Sequence, residues 1–317
     1  MKISRLGSTE STLLMLFWLK FISINEIPEI IINHTKYLNN ILLVWLFTTS
    51  GFYDKNLNYD FYNINLQDYD ISIIQNTNIG IINFYDDNKP YLSDLKEINL
   101  FDNYDDTVLI NYYLQILEAL HHSDILYLTF HEENKMLNWY NKEFINFLEP
   151  KSYHYISDKI FFDFIRNKKV LIISSFSELY EKQYKSGNLK IIYPDFPDIL
   201  SLSFLQTPYT FFNDGPHNNI LETCDILFEK IINLKNNFDC VIISFGCYSN
   251  LLANKINKKL DKDTMTLGDQ LQIFFGIINK RNKEKKIKVE NEEYYVKEIP
   301  EYYRPFMFEK IENGCYW

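Results

Sequence analysis

Alanine is almost missing from this 317-residue chain: it stands only at Ala119 and Ala253, while Asn, Ile, Lys, Tyr and Phe abound. The bias is that of an AT-rich genome, as in a large DNA virus or a low-GC microbe. It makes apolar runs of Ile and Phe weak signals for any particular role. Cysteine is sparse as well. Cys224, Cys240, Cys247 and Cys315 form no C-x-x-C pair, and the six histidines add no zinc spacing. A reducing compartment fits, and Cys224 and Cys240, set in apolar patterns, are expected to be buried thiols. Basic charge is in deficit, with a net charge of −10. That argues against a general nucleic-acid binder, whose affinity comes from Lys and Arg on phosphates. Long apolar runs are missing too. Leu13–Leu19 has Glu10 ahead of it and Lys20 behind it, with no small-residue cleavage site, so it does not read as a signal peptide. Ile41–Phe47 is too short to span a bilayer. The expectation is a soluble, cytoplasmic protein (host cytoplasm if viral) with no transmembrane segment.

Two motif absences narrow the function. No G-x-G-x-x-G follows a strand, which counts against a dinucleotide-binding dehydrogenase or a methyltransferase. No G-x-S-x-G surrounds Ser174 and Ser175, so an α/β-hydrolase reading fails.

What is present is clearest from Phe238 to Ile277. Asp239–Phe245 is a short β-branched run, as a strand buried on both faces should be, and Gly246 stops it. Tyr248–Leu260 then places Leu251, Leu252, Ile256 and Leu260 on one helical face, with Lys255, Lys258 and Lys259 turned away. Thr264–Leu267 reads as the next strand, Gly268 as its stop, and Asp269 opens another helix. Strand-to-helix turns of this kind line the ligand crevice of an open parallel sheet, and helix N-termini there favour phosphate.

The rest of the chain continues the alternation. Residues 1–7 read as a strand ending at Gly7, with Ser8 as N-cap of a helix Thr9–Phe21. A second helix is expected from about His34 to Phe47, a strand at Ile79–Phe84, a helix over Tyr104–His121, a strand at Ile125–Phe130 and a helix over Glu132–Phe147. Then come a short helix Asp158–Arg166, a strand Val170–Ser174, a helix from Ser175 to Lys185, strands at Leu189–Tyr193 and Ser201–Gln206, and a helix Asn218–Leu234. With no internal repeat and no long Gly/Ser linker, the expectation is a single α/β domain over 1–317. Its sheet is Rossmann-like, doubly wound and mostly parallel, with helices on both faces. The N-terminal half (about 30–150) is elaborated, and 279–317 form an extension.

Several segments, in order, resemble the GT-D-type glycosyltransferases. RLGSTE (Arg5–Glu10) is similar to their opening R-x-G-x-x-E motif, and KKVLIISSF (Lys168–Phe176), with Gln183 and Tyr184, to their strand-turn segment. SGFY (Ser50–Tyr53), FDCVIISFGCYSNLLA, LGDQLQIFFGI and the closing ENGCYW (Glu312–Trp317) complete the likeness, which runs from residue 5 to 317. The resemblance implies a sugar transferase that uses a nucleoside-diphosphate sugar donor and a glycan or glycoprotein acceptor. The family's opening motif carries a D-x-E carboxylate pair associated with a divalent metal; here Ser8 stands at the Asp position and Glu10 remains. Mn²⁺ or Mg²⁺ on Glu10 and metal-free stabilisation by cationic side chains both stay open. The family's Gly-Lys-Arg-Trp-like continuation is here Ile278–Asn282, with Lys280 and Arg281 but no aromatic, and Asp269 replaces a second Gly.

Most candidates have more than one reading. Arg5 binds phosphate or forms a structural ion pair. Glu10 is a base, a metal ligand or a cap-supporting carboxylate, and Asp269 is a helix N-cap or a base. Gly7, Gly246 and Gly268 shape donor-binding turns. Ser174 and Ser175 read as turn and N-cap residues beside the donor, with free N–H groups expected at 175–176 and 247–248. Tyr248 stacks on a base or closes the core. Gln270 and Gln272 read donor hydroxyls, unless Gln272 faces solvent. Lys280 and Arg281 contact a diphosphate or belong to a solvated loop. A non-catalytic member of the fold that binds a glycan or a partner protein is the alternative function.

Overall fold

The computed structural model describes residues 1–7, 10, 51–56, 107–128, 152–153, 156–284, 291–311 and 314–317. The expected elements at Thr9–Phe21, His34–Phe47, Ile79–Phe84 and Glu132–Phe147 lie outside them, apart from the helical residue Glu10.

Seven strands form one all-parallel sheet in the order β3-β2-β1-β7-β6-β4-β5. They are β1 (Lys2–Leu6), β2 (Ile125–Leu128), β3 (Ser152–Tyr153), β4 (Lys169–Ser174), β5 (Ser201–Gln206), β6 (Cys240–Ser244) and β7 (Asp263–Thr266). The doubly wound α/β expectation holds. β4 and β6 pair from Val170↔Cys240 to Ser174↔Ser244. Val170, Leu171, Ile172 and Ile173 are each at most 1% exposed, so both faces of β4 are covered. Each such side chain contributes roughly 1.5–3 kcal/mol relative to exposure. β1 is not an edge strand. It lies between β2 and β7, so the two ends of the sequence share one sheet.

The helices are α1 (Thr107–His121), α2 (Asp158–Ile165), α3 (Ser177–Lys185), α4 (Asn188–Ile192), α5 (Ile220–Asn233), α6 (Ser249–Leu260), α7 (Gln270–Phe274) and α8 (Lys280–Glu284). Right-handed crossovers decide their faces. The moves β1→β2, β5→β6 and β6→β7 all run one way along the sheet, which puts α1, α5 and α6 on one face, where they pack together. The move β4→β5 runs the other way and puts α3 on the opposite face. α2 stacks on α7 there through Phe161 and Phe274, whose ring centres are 4.2 Å apart. No helix of the described residues is long and apolar enough to cross a membrane.

Two expected elements differ. Leu189–Tyr193 is not a strand. Gly187 turns the chain at φ 79°, and Asn188–Ile192 coils once as α4, burying Leu189 and Ile192 three residues apart. The β-branched pair Ile191–Ile192 mimics a strand, but one helical turn buries the required face and Pro194 ends it. The helix after β4 starts at Ser177 rather than Ser175, with Phe176 at its N-cap and no side-chain cap bond. By contrast, Asn219 caps α5 as its type allows, its Oδ1 accepting from the N–H of Leu221 (3.0 Å) and Glu222 (3.1 Å).

Gly51–Tyr53, the described part of the SGFY turn, is fully buried scaffolding. Phe52 meets Tyr112 edge-on, Tyr53 is hydrogen-bonded to Thr223, and Gly51 O accepts from Thr210 Oγ1 at 2.5 Å.

Candidate functional site

The carboxyl ends of β1 and β7 lie side by side, and they bring together the two motifs farthest apart in sequence. Arg5 leaves β1 with its N–H donating to Thr266 Oγ1 (2.7 Å) and its carbonyl accepting from Asn250 Nδ2 (3.1 Å). Its guanidinium then reaches over β7, donating to Leu267 O at 3.1 Å and standing 3.6 Å from the Asp269 carboxylate. Gly268 makes this possible: it turns at φ +58°, and a Cβ there would come within 2.5 Å of Arg5 Nη1. Gly7 gives clearance of a second kind, because a Cβ on it would collide with the Glu10 carboxylate. The glycines of both motifs are thus spaces for charged side chains.

Asp269 is held from two sides. Arg281 Nη1, from α8, donates to its Oδ2 at 3.0 Å, opposite Arg5. The Asp269 side chain is 8% exposed, and it makes no N-cap bond to α7. Its default role as a capping carboxylate is therefore replaced by a bridge between two guanidiniums. Arg281 also ties down the chain's last residues. It donates to Cys315 Sγ (3.0 Å) and Tyr316 Oη (3.3 Å), and its guanidinium lies 4.7 Å from the centre of the Tyr316 ring. Its backbone N–H donates to Cys315 O, and Gln272 Nε2 donates to Tyr316 O. Gln272 is buried rather than solvent-facing. Lys280 is exposed, so Arg281 is the member of the basic pair that enters the crevice.

Glu10 is buried close by. Burial raises its pKa above the ordinary carboxylate value, while its own backbone N–H and the Arg5 charge pull it back. Tyr112 donates to Cys247 O at 3.0 Å. Its pKa is driven well up by burial, then by Cys247 and Glu10.

The next crevice wall, at the ends of β4 and β6, has a different chemistry. Ser174 is fully buried as a turn residue: its Oγ accepts from Phe176 N–H (3.2 Å), and its carbonyl accepts from Ser177 Oγ (2.8 Å). Ser175 O accepts from Gln206 Nε2 at 2.5 Å. The expectation of free N–H groups at 175–176 and 247–248 is corrected in part. Phe176 N–H is bound to Ser174, and Tyr248 N–H donates to Phe245 O at 3.0 Å. Gly246 turns at φ 44°, and Tyr248 packs inward, fully buried, with its ring stacked 4.1 Å from Phe245 and its hydroxyl 3.1 Å from Thr210 Oγ1. Tyr248 closes the core. Gln270 likewise turns inward: its Oε1 accepts from Ile156 N–H (3.0 Å) and its Nε2 donates to Ile156 O, clamping the segment before α2.

Sequence reasoning missed Tyr180, Thr207, Ser244 and the tail contacts. Ser244 Oγ donates to Gly268 O at 2.6 Å, joining the two crevice turns. Trp317 Nε1 and Tyr209 Oη both donate to Tyr303 O (2.8 and 2.6 Å), and Trp317, Tyr303 and Phe176 form an aromatic cover beside the β4 turn. None of these residues sits in a periodic or catalytic pattern that could have marked it.

The donor set suits a divalent cation poorly. Asp269 already carries two guanidinium partners, burial disfavours the charged form of Glu10, and no cluster of three or more His, Cys, Asp or Glu that could hold a metal occurs among the described residues. The arrangement instead offers fixed positive charge on largely buried side chains. Compared with known proteins, the chain matches no family model, no curated protein and no solved structure.

Proposed function

We propose that this protein is a sugar transferase of the GT-D type, moving a sugar from a nucleoside-diphosphate donor to a glycan or glycoprotein acceptor. One observation carries the reading. The segments that resemble that family at Arg5–Glu10, Leu267–Ile277 and the last residues meet at one point, where Arg5, Asp269, Arg281 and Tyr316 interlock. Loss of a nucleoside diphosphate requires stabilisation of developing negative charge. Arg5 and Arg281 supply two guanidiniums at this corner, held in place by Asp269. In this reading the guanidiniums do the work of a metal, and Mn²⁺ or Mg²⁺ is not needed. Asp269 acts as their counter-ion and spacer. The base that deprotonates the acceptor hydroxyl is Glu10, whose raised pKa makes it the stronger proton acceptor.

The test is a thermal-shift series with uridine, guanosine and cytidine diphosphates, with and without Mn²⁺. A ligand at about 100 times its Kd should add roughly 2.7 kcal/mol of stability. One of the three should raise Tm without Mn²⁺. No shift with any at millimolar concentration would remove the nucleotide-sugar reading, and a shift that needs Mn²⁺ would remove the metal-free one. Glu10→Gln should abolish transfer and leave Tm unchanged or higher. The sign follows from linkage: a carboxyl whose folded pKa is raised stabilises at low pH and loses that contribution as pH rises through the folded pKa. The amide keeps the shape without the buried charge. Transfer that survives in Glu10→Gln would make Glu10 structural. Binding without turnover in the wild type would favour the alternative of a non-catalytic glycan- or partner-binding protein, which the locking of Asp269 between two arginines also fits.

A further inference from the structure

Among the described residues only two aromatic side chains are largely exposed, Tyr302 at 64% and Phe306 at 72%. They stand four residues apart in one segment, so their Cα atoms are at most about 14 Å apart. Single exposed hydrophobics are ordinary, and it is the setting of Tyr302 that sets it apart. Its ring centre lies 4.4 Å from that of Tyr303, which covers one face and leaves the other to solvent. Lys182 Nζ donates to Tyr302 Oη at 2.9 Å and stands 5.5 Å from the ring centre. Those two distances place the ammonium at the hydroxyl edge of the ring, clear of the open face.

Lys182 belongs to α3, which begins just after the β4 turn, at the rim of the crevice. Glu178, in the first turn of α3, precedes it by four residues and shares its helix face. Both side chains are exposed. The bond to Tyr302 raises the Lys182 pKa most, and the Glu178 charge adds to the rise. An ammonium carries three protons, and Tyr302 takes one of them. From Tyr302 a run of rings leads inward. Tyr303 is buried, and its carbonyl accepts from Trp317 Nε1 at 2.8 Å. The Trp317 ring is 5.7 Å from that of Tyr316, which lies 4.7 Å from the Arg281 guanidinium. One continuous aromatic path thus joins the surface to the charged corner.

We propose that Tyr302 and the Glu178–Lys182 face of α3 form the platform on which an oligosaccharide acceptor rests, an inference that rests on the sugar-transferase reading. The open ring face takes the C–H face of one sugar unit. The ammonium donates to its hydroxyls and the carboxylate accepts from them, a pairing that matches groups able to do both. The size of the patch favours a glycan over a protein partner. A fully covered Tyr or Phe buries about 150–250 Å², so the two exposed rings offer roughly 200–350 Å² between them. A stable protein interface needs about 800 Å² on each side. The net charge of −10 argues against a nucleic acid. Tyr303, Trp317 and Tyr316 separate Tyr302 from Arg281, so an acceptor that touches both ends of the path is several sugar units long.

The test starts from a printed glycan array. The oligosaccharide that wild type retains best is then titrated in solution, beside its monosaccharide, against wild type, Tyr302→Ala, Tyr302→Phe and Lys182→Met. Wild type should bind the oligosaccharide and bind the monosaccharide far more weakly. Tyr302→Ala should lose about tenfold in affinity, the value of one aromatic contact. Tyr302→Phe keeps the ring and should stay within about threefold of wild type, while Lys182→Met should lose about fivefold, the value of one hydrogen bond. All three side chains changed are exposed, so Tm should not move, and neither should affinity for a nucleoside diphosphate. No glycan retained on the array, or equal affinity in Tyr302→Ala and wild type, would overturn the platform. So would a dimer in sedimentation velocity that Tyr302→Ala abolishes, since the face would then be a protein interface. The two proposals fail separately. Nucleotide binding without glycan binding removes the platform and leaves the transferase reading; glycan binding through Tyr302 without nucleotide binding does the reverse.

Discussion

The two halves of the crevice use opposite means to make a polar site in a dry place. At β1/β7 every key group is ionisable: Arg5 and Arg281 hold Asp269, while Glu10 is buried within reach of the Arg5 charge. At β4/β6 the groups are neutral hydroxyls, with Ser174 bonded to Phe176 N–H and Ser244 to Gly268 O. Buried charges must be compensated within the protein, because one left alone is far more expensive than a hydroxyl left alone. The charged half is therefore held by ion pairs, and the hydroxyl half by single hydrogen bonds to the turns. The first should behave as a rigid, stability-determining knot, the second as a surface whose loss costs the fold little.

The largest test of that contrast is Asp269→Ala. It leaves two guanidiniums facing each other and should cost about 3–5 kcal/mol in urea unfolding, as removal of one partner from a buried ion pair does. A loss below 1 kcal/mol would mean that the knot is solvated and that the contrast is false.

A smaller effect checks a buried charge at the other end of the same strand. Lys2 is fully buried, with its Nζ donating to Ala119 O and, at 2.9 Å, to Asn254 Oδ1. Burial lowers its pKa to about 7, against the opposing pull of Glu118. Between about 7 and the unfolded value of 10.5 the unfolded chain binds the extra proton, so folding stability should rise with pH. The slope should reach at most about 1.4 kcal/mol per pH unit. Unfolding free energies at pH 7 and 8.5 should show the rise in wild type and lose it in Lys2→Met. Equal slopes in the two proteins would show that Lys2 keeps its charge.

The smallest effect belongs to Ser174→Ala. The turn loses one hydrogen bond to Phe176 N–H, at about 1 kcal/mol, and transfer should persist. Complete loss of transfer with the fold intact would restore Ser174 to the chemistry.

The strands were legible where the chain is locally unambiguous. β4, β6 and β7 are short β-branched or apolar runs between turn residues, and their position in a parallel sheet followed from the alternation with helices. Ile191–Ile192 misled because a single buried helical turn and a short buried strand ask for the same residue types. The charged corner was half legible. Arg5, Glu10 and Asp269 stood out as charges near glycines and Arg281 as part of a basic pair, but their pairing depends on which strands become neighbours, and that is not local information. Tyr248 could not be settled in advance, since an aromatic after a Gly turn can face either way. Tyr180 and Thr207 carry no signal at all. Their places beside Phe275 and the β4 turn are set by tertiary packing, which exists only in three dimensions.

The placement of β1 has a further consequence. The sheet consists of two blocks, β3-β2-β1 and β7-β6-β4-β5, sewn together along one seam whose register pairs are Lys2↔Thr264 and Ile3↔Met265. Arg5 belongs to one block and Asp269 to the other, so the charged corner acts as a clasp across that seam. Assembly of the clasp must await a contact between segments more than 250 residues apart, a slow kind of closure. An anion bound across the clasp would hold the two blocks together, and amide exchange along β1 would slow when it does.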